Sequence, residues 1–126
     1  LLSEVFDAGR ITALRHAVAA RAADAGLTGD RLDDFVLAVN ELLTNAVRHG
    51  GGTGRVVVWC ADDAVTCEVS DHGDGAGGRV HPDRPAPDQP GGWGLYLVRE
   101  LTDTLDITTG PEGTAVRISS GVTRET

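Results

Sequence analysis

A chain of 126 residues is long enough for one domain and too short to count on two. Its 11 basic residues face 19 acidic ones, for a net charge of −8, and every basic residue is arginine. The lack of lysine excludes a Walker-A phosphate loop and lysine Schiff-base chemistry, and the negative balance argues against a direct nucleic-acid or anionic-membrane partner. With 40% apolar residues the chain reads as globular. No apolar run approaches the ~18 residues of a membrane span. Methionine is absent, so Leu1 reads as a processed end or the edge of a fragment, and we expect a domain cut from a longer protein. Cys60 and Cys67 are expected to be reduced, semi-buried thiols on neighbouring strands of a cytoplasmic protein.

In chain order, residues 1–6 suit an edge strand. Ile11, Leu14, Val18 and Ala22 form a helical stripe within Ile11–Ala25, which Gly26 stops. Thr28-Gly29-Asp30 is a turn, with Asp30 as the expected N-cap of a second helix. Leu32, Phe35, Val36, Val39, Leu42, Leu43 and Ala46 mark that helix's core face, and it runs to His49 before three glycines. The β-branched runs Arg55–Cys60 and Val65–Ser70 predict a hairpin turning at Asp62-Asp63. The stretch Gly73–Gly94 holds seven glycines and four of the five prolines, the composition of a functional lid. A third helix is expected over Trp93–Thr104, with Leu95, Val98, Leu101 and Thr102 on one side. A strand pair, Leu105–Thr109 and Thr114–Ser119, follows, turning at Gly110-Pro111-Glu112-Gly113. Residues 121–126 read as a loose polar tail. The hairpins imply an α+β fold, a two-layer sandwich with helices on one face of a mixed, mostly antiparallel sheet.

Three clusters can carry chemistry. Glu41 and Asn45 are four residues apart on the second helix, expected on the face opposite its apolar stripe, and Arg48 extends the row. A carboxylate can accept a proton, an amide oxygen is a hard ligand for Mg²⁺, and a guanidinium meets phosphate. An ordinary solvated helix face would show Glu and Arg as well. Asp71, leaving a strand ahead of Gly73 and Gly75, can accept from an exocyclic amino group where glycines admit a flat ligand; Asp-Gly is also common in plain turns. Gly91-Gly92-Trp93-Gly94-Leu95 opens a helix, where free backbone N–H groups can hold phosphate, although a glycine-rich turn can equally be a hinge.

In this order the three clusters resemble the GHKL (Bergerat-fold) ATPases, over about Ile11 to Ser119, and Gly113-Thr114 is similar to that family's last nucleotide-binding motif. The short chain looks most like the RsbW-type anti-sigma-factor serine kinases. The resemblance implies a single ATP-binding domain over residues 1–126, with ATP and Mg²⁺ as cofactors. It makes Glu41 the base activating a hydroxyl or water and Asn45 the Mg²⁺ ligand against the phosphates. It makes Asp71 the partner of the adenine amino group, with Gly73 and Gly75 shaping the pocket and Thr114 supporting it. Gly92 and Gly94, ahead of Leu95, present N–H groups to phosphate, residues 76–90 form the lid, and Arg48 takes a phosphate role.

One departure stands out: many relatives keep an arginine beside the lid-closing glycines, where this chain has Pro90 and Trp93. Arg79 and Arg84 are the candidate substitutes. The resemblance implies a serine/threonine protein kinase that binds a sigma factor and phosphorylates an antagonist of STAS type, in a homodimer. The alternatives are a non-catalytic nucleotide- or partner-binding module and the catalytic domain of a sensor histidine kinase. Glu41 favours the kinase of serine type; Pro90 and Trp93 favour loss of transfer.

Overall fold

The computed structural model describes residues 2–49, 52–71, 93–111 and 113–122. Strand β1 (Leu2–Asp7) passes through a short 3-10 turn into helix α1 (Ile11–Ala25). Helix α2 (Gly29–His49) follows, then the hairpin β2 (Thr53–Ala61) and β3 (Ala64–Asp71), helix α3 (Trp93–Leu101), and the pair β4 (Thr104–Gly110) and β5 (Gly113–Gly121). The five strands lie in the order β1-β2-β3-β5-β4. All four pairings are antiparallel, so the sheet, expected as mixed but mostly antiparallel, has no parallel pair among the described residues. The reason lies in the connections: β2–β3 and β4–β5 are hairpins, β1 and β2 are joined through the helix pair α1–α2, and β5 slots between β4 and β3 to run against both.

Alternation divides the sheet into two faces. Phe6, Val56, Val58, Val65, Cys67, Val69, Val116 and Ile118 point to the helical layer and are buried. They meet Leu14, Val18 and Ala22 of α1, Phe35, Val39, Leu42 and Leu43 of α2, and Val98 of α3 in one core. The opposite face carries Arg55, Trp59, Glu68, Arg117 and Asp106. There Arg117 donates to Glu68 from Nε and Nη2 at 3.1 and 2.9 Å and lies 5.2 Å from the Trp59 ring centroid.

Local chemistry sets the boundaries. Gly26 ends α1 at φ +117°, a left-handed cap that a side chain would strain. Helix α2 begins at Gly29, so Asp30 lies inside the first turn rather than at the N-cap, where its carboxylate still faces the positive end of the helix dipole. Asp62 and Asp63, at φ 53° and 60°, make the tight turn of the β2–β3 hairpin, the twist that right-handed strands require. Helix α3 stops at Leu101, three residues before the expected end. The Thr102 hydroxyl takes the carbonyl of Val98 at 2.8 Å, and the Asp103 amide donates to the Ser119 carbonyl at 2.9 Å, drawing the chain into the sheet. Gly121 and Val122 are not loose: Gly121 closes β5, and the Val122 amide donates to Asp63 at 2.7 Å.

A clasp joins these ends. Arg31, in the first turns of α2, donates to Asp103 Oδ2 at 3.1 Å and to the Gly121 carbonyl at 3.2 Å. Asp103 Oδ2 also accepts from the Gly121 amide at 2.7 Å. That backbone donor, then the Arg31 guanidinium, hold the Asp103 carboxyl below its ordinary range against the opposing effect of burial. Both cysteines are free thiols, but they differ: Cys60 is exposed and Cys67 buried. Burial, and next the charge of Glu68, push the Cys67 thiol up to about 12.

Candidate nucleotide site

Helix α2 lies between α1 and α3 and touches β2, β3 and β5, so its length spans the covered face of the sheet. The core takes Phe35, Ala38, Val39, Leu42, Leu43 and Ala46. At 100° per residue these fill one side, with Glu41 and Asn45 along its margin. Both are half-buried, so they occupy the flank between core and solvent, not the fully opposite face expected from the spacing. Val36 and Leu32 are half-buried as well and line a groove between α1 and α2. Arg48, one turn beyond Asn45, is exposed. No hydrogen bond or ion pair ties Glu41 or Asn45 to another described residue, which leaves a carboxylate and a carboxamide available on adjacent turns.

A second part of the site stands at the end of the sheet. Asp71, the last residue of β3, pairs in register with Thr114 of β5, which pairs with Thr109 of β4. Asp71 continues the parity of Val65, Cys67 and Val69, and Thr114 that of Val116 and Ile118, so the row lies on the helix-covered face. Thr114 is 9% exposed and Asp71 half-buried. A carboxylate and hydroxyls bordering an apolar layer suit a flat ligand with an amino group on its edge. Thr109 was not among the residues singled out from the sequence. Only the register of the final hairpin brings it beside Thr114, and its threonine-rich strand offers no other signal.

A cavity of about 310 Å³ opens at this end, lined by Asp71 and Thr114 as well as Ser70, Thr108, Pro111 and Ala115. Ser70, Ala115 and Thr108 form one cross-strand row on the opposite face of the sheet, so this cavity wraps the sheet's end and is shared with the Asp71–Thr114 row. Leu95, in the first turn of α3, is half-buried against the core, and Gly94 belongs to the same turn. Gly73, Gly75, Gly92, the expected lid over residues 76–90, Arg79, Arg84 and Pro90 lie outside the described residues. Sequence reasoning also passed over Leu37, an apolar side chain 44% exposed one turn before Glu41 on the same row; the four-residue spacing was the available signal.

Among the described residues no three His, Cys, Asp or Glu side chains group to hold a metal. A magnesium ion at Asn45 would share its coordination with substrate phosphates and water, as this hard, strongly hydrated cation ordinarily does. The donor set fits: an amide oxygen without another described partner, on a helix flank with Arg48 one turn beyond.

Comparison with known proteins bears on the family and the fold. Residues 5–120 match the family model of the histidine kinase-like ATPase domain. The chain is 34% identical over 100 residues to the sensor histidine kinase YxdK of Bacillus subtilis (strain 168), covering 65% of this chain and 31% of that protein. It is 27% identical over 96 residues to the serine-protein kinase RsbW of Oceanobacillus iheyensis, covering 65% of this chain and 61% of that protein. The match thus spans less than two thirds of either relative's length. In fold it is similar to the RsbU and RsbW domains of a Mycobacterium tuberculosis protein, with a TM-score of 0.67 at 20% identity over 99% of this chain and 34% of that one. With its family model matched almost end to end, the chain belongs to the histidine kinase-like ATPase domain family.

Proposed function

We propose that this domain binds Mg-ATP and transfers its γ-phosphoryl group to a serine or threonine of a partner protein, as an anti-sigma-factor kinase. The observation that carries the reading is Glu41 with Asn45 on adjacent turns of α2, both half-buried and without another described partner. ATP supplies the phosphoryl group, and Mg²⁺ screens its charge. The side chains divide the remaining work. Glu41 accepts the proton of the attacking hydroxyl, and Asn45 lends its amide oxygen to the metal. Asp71 accepts from the adenine amino group beside the Thr114 hydroxyl, and the N–H groups opening α3 after Gly92 and Gly94 face phosphate. Charge stabilisation dominates phosphoryl transfer, and without lysine it falls to arginine: Arg48, with Arg79 and Arg84 as further candidates. The partners of this reading are a sigma factor and a STAS-type antagonist, the domain works as a homodimer, and its site of action is the cytoplasm. No described helix is long and apolar enough to cross a membrane.

Calorimetry with Mg-ATP tests the site. Asn45→Ala should weaken binding by more than about tenfold, ~1.4 kcal/mol. Glu41→Gln should keep binding while transfer to the antagonist falls by roughly 10²–10⁴-fold. Equal affinity in Asn45→Ala and the parent would sink the assignment. The 34% identity to a sensor histidine kinase favours a second reading, the catalytic domain of such a kinase. The bond formed separates the two, since phosphoserine survives acid and phosphohistidine does not.

A further inference from the structure

The two edges of the sheet are finished differently. On β1, Glu4 is paired with Arg10 at 2.8 Å, and Asp7 accepts from the Gly9 amide at 2.9 Å as the chain leaves the edge. Strand β4 has neither device. Its seven residues, Thr-Leu-Asp-Ile-Thr-Thr-Gly, pair with β5 in unbroken register and include no proline, no basic residue and no bulge. No described strand pairs with its outer side. Such an edge presents a row of N–H and C=O groups to any extended chain. Beside it opens the cavity at the end of the sheet, lined by Ser70, Thr108 and Ala115 of the open face together with Asp71 and Thr114. Two residues before Thr108, on that same face, stands Asp106. Its cross-strand neighbour Arg117 gives two hydrogen bonds to Glu68, and no described residue pairs with Asp106.

We infer that β4 accepts an extended segment of a partner protein as a sixth strand, one carrying a basic residue two positions from a β-branched apolar residue. Strand addition takes its affinity from backbone hydrogen bonds and its selectivity from pockets that receive alternate side chains. Here the period of two sets the spacing: the basic side chain lies opposite Asp106, and the β-branched one enters the cavity beside Thr108. The charge is complementary locally, at an unpaired carboxylate, and globally, on a chain of net charge −8. The open β4 edge and Asp106 stand apart from the nucleotide reading, whereas the cavity is shared with Asp71 and Thr114.

The probe is a capped heptapeptide, Thr-Arg-Thr-Val-Thr-Ile-Thr, titrated into the ¹⁵N-labelled domain with amide exchange followed by NMR. Alternate amides of β4 should gain protection, those of β1 should not, and Asp106→Lys should weaken binding about five- to tenfold. Thr108→Lys, crowding the mouth of the cavity, should also weaken it, and Asp106→Lys, outside the cavity lining, should leave Mg-ATP calorimetry unchanged. Three results would overturn the proposal: no protection of β4 at saturating peptide, equal binding by Asp106→Lys, or protection confined to β1. Concentration-dependent protection of β4 without peptide would also overturn it, by placing a second copy of this chain on the edge.

Discussion

The two faces of the sheet are made from the same strands and differ in nearly every property. On the covered face, apolar side chains from four strands are sealed beneath three helices, and polarity returns at its borders, in Asp71 and Thr114 at one end and the buried Ser120 at the other. On the open face, charges pair across strands, and Trp59 is shielded by the flat guanidinium of Arg117. One face supplies cohesion and, at its border, a place where a ligand meets partly desolvated polar groups. The other supplies solubility and recognition at little energetic cost. Substitution should therefore be expensive on one face and cheap on the other.

The sharpest test is Phe6→Ala, which empties a side chain 2% exposed on the covered face. It should cost about 3–5 kcal/mol, read as a lower urea midpoint at unchanged slope. A loss below about 1 kcal/mol would mean that the first strand contributes little to the core. Next comes Gly54→Ala, where an added methyl would stand 2.9 Å from both Phe6 Cζ and the Ser70 carbonyl oxygen. Because one neighbour is backbone, about 1–3 kcal/mol should be lost, and wild-type stability would show that β2 can shift aside. At the other extreme, Arg117→Ala on the open face should change stability by less than about 1 kcal/mol, since its pair with Glu68 is exposed.

Two pH effects sharpen the contrast. The buried Cys67 stays protonated to about 12 in the fold, whereas the unfolded thiol ionises near 9.0. Its contribution is complete below pH 9 and is lost as pH rises towards 12, so Cys67→Val should flatten the alkaline limb of urea midpoint against pH. Asp103 has the opposite sign. Its folded carboxyl is depressed, so its contribution is present above the ordinary aspartate range and is lost as pH falls through the folded value. Arg31→Ala should shrink that acid-side loss, by a small amount because the pair is about half exposed.

How much could be read from the residues follows the range of the interactions. Helix α1 was legible to the residue because its stripe and Gly26 are local signals. So was the Asp62-Asp63 turn. The end of α3 was not: Leu101 and Thr102 continue a helical spacing, and only the pull of Ser119, on another strand, shows where the helix yields. For the site, Glu41 and Asn45 are a helical pair visible in any listing of the chain. The Asp71–Thr114–Thr109 row depends on the register of three strands, and Thr109 stayed hidden for that reason. That the helix row sits on a flank, half-buried, depends on how α3 packs beside α2, which periodicity alone does not encode.

Strand β5 is the last of the five in sequence, yet it lies between β3 and β4. During synthesis β1, β2 and β3 can assemble as they emerge, but β4 has no neighbour until β5 arrives. Val116 and Ile118 belong to the core, so the covered face cannot close before they leave the ribosome. Folding of this domain is thus withheld until nearly its whole length is made, and its final cooperative step is the insertion of a central strand built from long-range contacts.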